Sequence, residues 1–162
     1  MSSIDLDNAV VNSSPLICLA KAGLLKLLFQ SFKQVAVPQE VLDEIMRGAD
    51  DDKAKLFLSS SKGYTVVKSP KISDLLLDWD LGKGEASVLQ YASEHEGTMV
   101  ILDDAAARKC ANVVGLPYCG TLGVLAKCKR MGIIDDLNPC LEALKEGGLW
   151  ISEKLSEKVS SL

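Results

Sequence analysis

The sequence predicts a three-layer α/β/α sandwich around a central parallel sheet. Short apolar strands alternate with helices along the chain, and Thr98 to Leu102 is apolar at successive positions, as in a strand covered on both faces. A third observation concerns residues that break the pattern. Glu85 heads the apolar stripe Val88, Leu89, Ala92, and Asp103 and Asp104 directly follow the buried-looking run. Carboxylates aimed inward need a partner, because an uncompensated buried charge either destabilises the fold or takes up a proton.

Each element has its own signal. Ala9 to Val11 reads as the first strand and ends at Asn12; Ser13 or Ser14 is placed to cap the next helix, whose first turn holds Pro15, where a missing N–H costs nothing. Val35 to Val37 is the second strand, and from Pro38 a helix runs to about Arg47. The polar stretch Gly48 to Lys55 reads as a loop running into a helix. Tyr64 to Val67 is a third strand, Gly84 to about His95 a helix, and Thr98 to Leu102 the buried strand. Ala107, Cys110, Ala111 and Val114 recur at helical spacing, and Leu116 to Cys119 precedes a further helix. In the tail 152–162, Leu155, Val159 and Leu162 share one helical face, suited to packing on the domain or on a second copy in a homodimer. In such folds the carboxyl ends of neighbouring strands open into one crevice, so Asn12 and the Asp103/Asp104 pair are expected to meet.

Composition narrows the function. The 162 residues, 48% hydrophobic, suit a single domain over 1–162. With 22 acidic against 18 basic residues and a formal charge of −4, broad adhesion to nucleic acid or anionic membrane is disfavoured. Five cysteines without C-x-x-C spacing indicate neither a disulfide framework nor a zinc site and read as reduced, small core residues. No run is long and apolar enough for a membrane span, and the first residues carry Asp5 and Asp7 rather than a basic and apolar leader; a cytoplasmic location without a membrane partner is expected.

The candidate site residues each have a plainer alternative. Glu85 at the tip of its helix either faces the crevice or interacts with the positive end of the helix dipole, worth about 0.3 to 1 kcal/mol. Asp103 or Asp104 can cap the next helix, and Asp104 with Arg108 has ion-pair spacing. Around Glu44, the face Val41, Leu42, Ile45, Met46 has Asp43 and Glu44 on its borders; Arg47 is placed to pair with Asp43, which leaves Glu44 freer, though a solvated Glu44 is the plainer reading. Several hard oxygen ligands with no convincing His or Cys suggest Mg²⁺ or Mn²⁺, and phosphodiester hydrolysis is the natural chemistry for such an ion. His95 reads as a solvated surface residue. Lys109, Lys127, Lys129 and Arg130 suit either RNA phosphates or a helix end, and Trp79 and Trp150 suit core or partner contacts rather than a base-stacking platform.

The ordered set Asn12-Ser13-Ser14-Pro15-Leu16, Val37-Pro38 with Glu44, Gly84-Glu85-Ala86, Leu102-Asp103-Asp104 with Arg108, and Gly120-Thr121-Leu122-Gly123 resembles the PIN-domain family over nearly the whole chain. The resemblance implies a metal-dependent endoribonuclease with a parallel-sheet fold. Many such proteins are toxins of toxin–antitoxin pairs, so the implied partners are RNA and a small antitoxin protein. The family's acidic Mg²⁺ or Mn²⁺ ligands carry over to Glu44, Glu85 and Asp104, with Asp103 kept beside Asp104 because the helical face favours it. Ser13, Ser14 and Thr121 match hydroxyl positions near the family's pocket, where they would hold water or phosphate; Arg108 would join them on the substrate side. PIN nucleases usually carry Asp at the end of the first strand, and here that position is Asn12, a neutral ligand with no charge to offer. The substitution also suits a PIN fold that has lost cleavage and serves as a binding or regulatory module. A phosphoacceptor receiver domain fits poorly, since its acidic pair follows the first strand.

Overall fold

The computed structural model describes residues 6–61 and 63–161. The elements run β1 (Asn8–Val11), α1 (Ser13–Lys21), α2 (Leu25–Ser31), β2 (Gln34–Pro38), α3 (Gln39–Met46), α4 (Lys53–Ser60), β3 (Thr65–Val67), α5 (Asp74–Leu77), α6 (Lys83–Glu94), β4 (Thr98–Ile101), α7 (Ala105–Val113), β5 (Tyr118–Cys119), α8 (Thr121–Arg130), α9 (Asn138–Glu146) and α10 (Glu153–Ser160). Five parallel strands lie in the order β3-β2-β1-β4-β5. All of β4 is buried, and β1 and β2 are buried after their first residue, which is why the central strands read as unbroken apolar runs.

The strand order explains where the site falls. From β1 to β3 the chain moves one way across the sheet, then returns past β1 to β4 and β5. Right-handed crossovers therefore place the first and second sets of connecting helices on opposite faces. α1 packs with α2, α4, α8 and α9, and α6 packs with α5 and α7, while α3 touches both α1 and α6 and so bridges the two sets beside the site. The reversal lies between β1 and β4, and the carboxyl ends of those two strands frame the crevice expected at such a switch point. One buried apolar cluster runs from Ala9 to Val159 and joins both faces through Val10, Val37, Leu89, Val100 and Leu125.

Several local expectations change. Neither serine caps α1: the helix already begins at Ser13, and Asn12 holds the cap position with no side-chain cap bond. Asp43 does not pair with Arg47; Gln39 Nε2 donates to Asp43 Oδ1 at 2.7 Å, one turn back on α3. The strand expected from Leu116 shortens to two residues, because Leu116 N–H is drawn to Ala111 O as α7 ends. Lys127 is no phosphate contact: it is buried, its Nζ donates to Leu6 O, and it lies 3.8 Å over the Phe32 ring. Trp79 packs against the core, whereas Trp150 is 83% exposed. Val159 of the tail is buried while Leu155 faces solvent, so α10 docks by one edge of its apolar face; Leu162 lies outside the described residues. All five cysteines are free, with Cys110, Cys128 and Cys140 buried.

Candidate active site at the carboxyl ends of β1 and β4

The pairing of Val11 with Ile101 carries through to the loops. Asn12 N–H donates to Ile101 O at 2.9 Å, which fixes Asn12 at the mouth of the sheet beside Leu102 and one residue short of Asp103. Asn12 is 1% exposed, and its Oδ1 is a buried oxygen with no hydrogen-bond partner among the described residues. That oxygen points to where α6 starts: a Cβ built on Gly84 would lie 2.9 Å from Asn12 Oδ1 and 3.3 Å from Glu44 Oε2. Glycine at 84 therefore keeps open a space into which oxygens from β1 and α3 both project. Glu44 is anchored by Ser13 Oγ, which donates to its Oε2 at 3.0 Å. Although Glu44 is largely exposed, its carboxylate tip is thus drawn into the crevice.

The opposite wall is built differently. Asp103 is half-buried, and both its oxygens are filled: Thr121 N–H donates to Oδ1 at 2.8 Å and Thr121 Oγ1 donates to Oδ2 at 2.6 Å. Asp103 thus takes up the first N–H of α8, a capping role that Gly120 cannot fill. A Cβ on Gly120 would come within 2.6 Å of Asp103 Oδ1, and one on Gly123 within 2.7 Å of Cys119 Cβ. The Gly-Thr-Leu-Gly segment therefore has a spatial reason: two glycines admit close neighbours, and the threonine between them donates twice.

Asp104 is exposed and caps α7, accepting from Ala107 N–H at 2.9 Å. No ion pair joins it to Arg108 among the described residues; Arg108 instead lies 5.5 Å over the Tyr118 ring, with a guanidinium nitrogen close to Gly120. Glu85 folds back against Gly82, at the amino end of its own helix. Ser14 is exposed, and burial, followed by nearby Asp103, raises the Cys18 thiol above its usual range, with Ser14 and Lys21 opposing the rise. Burial pushes the Cys119 thiol up to about 12, with Asp103 adding to the rise and Arg108 opposing it. Both thiols stay protonated at neutral pH and are poor nucleophiles or soft-metal ligands.

The structure thus brings Asn12, Ser13 and Glu44 together and ties Asp103 to Thr121. Glu85, Asp103 and Asp104 each rest on a helix amino terminus. A sequence motif had contained Gly84, but its spatial role, and the Ser13–Glu44 bond, depend on contacts between α1, α3 and α6 that no local pattern announces. For a hard divalent cation the Asn12 side fits: a buried amide oxygen without a donor and a carboxylate oxygen share one open space, and both are suitable ligands. Among the described residues, however, no three His, Cys, Asp or Glu side chains gather as an ion site.

The sequence profile of the PIN domain matches residues 8–162. The chain belongs to the PIN-domain family. PIN domains are generally nucleases, typically dependent on a divalent metal. The crystal structure of PAE2754 from Pyrobaculum aerophilum is similar at 17% identity and a TM-score of 0.48, covering 68% of this chain and 83% of that one. No curated protein matches the chain significantly. No helix among the described residues is long and apolar enough to cross a membrane.

Proposed function

We propose that this PIN-domain protein is an endoribonuclease that depends on Mg²⁺ or Mn²⁺ and cleaves RNA in the crevice between β1 and β4. The observation that carries this reading is the unpartnered, buried Oδ1 of Asn12, which shares its space with Glu44 Oε2. Asn12 Oδ1 has no donor among the described residues, and Glu44 Oε2 beside it carries charge with only the Ser13 hydroxyl against it, which makes an electron-rich locus that a cation would fill. Asn12 and Glu44 would hold the ion, with Glu85, Asp103 and Asp104 at the rim as further ligands or supports for its bound waters. The bound ion would lower the pKa of a water and neutralise charge on the scissile phosphate.

The remaining roles belong to the chain itself. Ser13 holds Glu44 in place through its Oε2. Arg108 and the Ser14 hydroxyl would position phosphate oxygens, aided by the amino ends of α1, α6, α7 and α8 around the crevice. Thr121, buried and with its hydroxyl hydrogen given to Asp103, supports that carboxylate and is not the substrate contact expected from the sequence. Toxin action, with an antitoxin segment covering the crevice in a cytoplasmic pair, extends the same reading, and a homodimer would use faces away from it.

Cleavage of single-stranded and structured RNA by pure protein, compared in Mn²⁺ and in EDTA, tests the proposal. Cleavage abolished by chelation and by Glu44→Ala is expected; cleavage that survives both would overturn it. A second reading, a PIN fold that binds RNA or a partner without cutting, is favoured by the neutral Asn12 and by the absence of a three-acid cluster among the described residues. Full RNA binding with no cleavage in any divalent metal would select it.

A further inference from the structure

We propose a second binding site, for a nucleotide, at the opposite, amino-terminal edge of the sheet. A cavity of about 620 Å³ opens there against the first residues of β1, β2 and β4, with Asn8, Gln34 and Thr98 on its floor and Tyr91 and His95 of α6 on its wall. A second depression of about 500 Å³ shares Tyr91 and His95 with it and adds Lys68 and Lys71.

The wall is an aromatic shelf. The Tyr91 and His95 rings stack with centroids 3.9 Å apart and planes 13° from parallel. His95 Nδ1 is bonded to Tyr91 O at 2.8 Å; a carbonyl accepts, so Nδ1 carries the hydrogen and Nε2 of the neutral ring is left as an acceptor. Tyr91 is half-buried and His95 exposed, so the histidine is the outer ring and a purine or pyrimidine laid on it would extend the stack. The exposed amide side chains of Asn8 and Gln34 can read a base edge. Cations stand at the rim: Lys33 has only an exposed ion pair to Asp7 at 3.2 Å, which contributes little, and no ion pair holds Lys68 or Lys71 among the described residues. Glu94 and Glu96 also line these spaces and would repel a bare anion, so the base must supply much of the affinity. A stacked ring with a phosphate turned toward lysine meets every one of these constraints.

The nucleotide could be a free nucleoside monophosphate or one residue of a bound RNA strand; the RNA source rests on the nuclease reading above. Amide NMR spectra of the full chain in EDTA, titrated with AMP, GMP, CMP and UMP at millimolar concentration, distinguish the cases together with fluorescence anisotropy of labelled 6- and 20-nucleotide single-stranded RNA. Shifts at Gln34, Tyr91, His95 and Thr98 with a monophosphate assign a free nucleotide. Shifts with RNA alone, the 20-mer binding more tightly, assign a strand. His95→Ala, an exposed substitution, should weaken the ligand about tenfold, and Lys33→Glu should do so separately. Absence of cavity shifts with every probe, or unchanged affinity in both variants for whichever probe produced the shifts, overturns the second site. Because every reading is taken without metal, a failure to cleave RNA leaves this result unaffected.

Discussion

Two walls of one crevice treat their polar oxygens in opposite ways. On the β4 side, both oxygens of Asp103 are occupied by Thr121, and Asp104 is occupied by Ala107 N–H. On the β1 side, the buried Asn12 Oδ1 has no donor among the described residues, while Glu44 Oε2 next to it is held by the Ser13 hydroxyl. Satisfied acceptors explain why a helix starts where it does; an unsatisfied one in a native core is a place for a water or an ion. The difference separates Asp103 and Asp104, whose carboxylates take up helix N–H groups, from Asn12, whose oxygen does not. The partner that inward carboxylates need is in part the fold itself. Asp103, Asp104 and Glu85 each rest on the positive end of a helix, and that interaction is present with or without metal.

The most severe way to break the contrast is Asn12→Asp. A charge placed beside Glu44 in a buried site should cost about 3 to 5 kcal/mol in EDTA, and Mn²⁺ should restore most of it if the ion site is real. Thermal unfolding in EDTA and in Mn²⁺ reads both quantities, and identical melting temperatures in the two buffers would remove the site. Next in size is Thr121→Val, which takes the hydroxyl donor from Asp103 and should destabilise by about 1.5 to 3 kcal/mol in urea. Cavity-filling changes sharpen the comparison further. Gly120→Ala should destabilise by about 1 to 3 kcal/mol, because the new Cβ displaces Asp103. Gly84→Ala should shift stability by less than about 1 kcal/mol, since alanine favours the helix, while Mn²⁺ binding measured by calorimetry is lost. Should Gly84→Ala bind Mn²⁺ normally, the shared space is not the ligand site.

Smaller effects test the scaffold. Asp104→Ala removes an amino cap and should cost about 1 kcal/mol whether or not metal is present. The Cys119 thiol gives the smallest signal. Burial raises it from 9.0 to about 12, so the unfolded chain loses this proton first. The contribution is therefore complete below pH 9 and declines as pH rises toward 12, by a little under 1 kcal/mol near pH 9.5. Urea midpoints of the native chain and Cys119→Ser across pH 7 to 10 should diverge only at the alkaline end.

Much of this architecture is written locally. The uninterrupted apolar runs at Val35 to Val37 and Thr98 to Leu102 mark strands that no face exposes, and the spacing from Ala107 to Val114 marks α7. Capping was less legible: several side chains near a helix start can accept its N–H groups, and Asp104 caps α7 while Asp103 reaches across to Thr121 of α8, 18 residues away. Ion-pair spacing misled at Asp43 and at Asp104, where Gln39 and Ala107 N–H respectively offered nearer donors. At the site, Glu44 was the weakest candidate by periodicity, because the Ser13 hydroxyl that orients it comes from another helix, 31 residues away.

The sequence by itself determined the alternation of strands and helices, the apolar core and the family, because side-chain periodicity and motif order are properties of neighbouring residues. Tertiary structure alone decided which oxygens meet a donor and which do not. That outcome depends on the approach of β1, α3 and α6 around a glycine, where one added methyl group would fill the space that the unmatched Asn12 oxygen shares with Glu44.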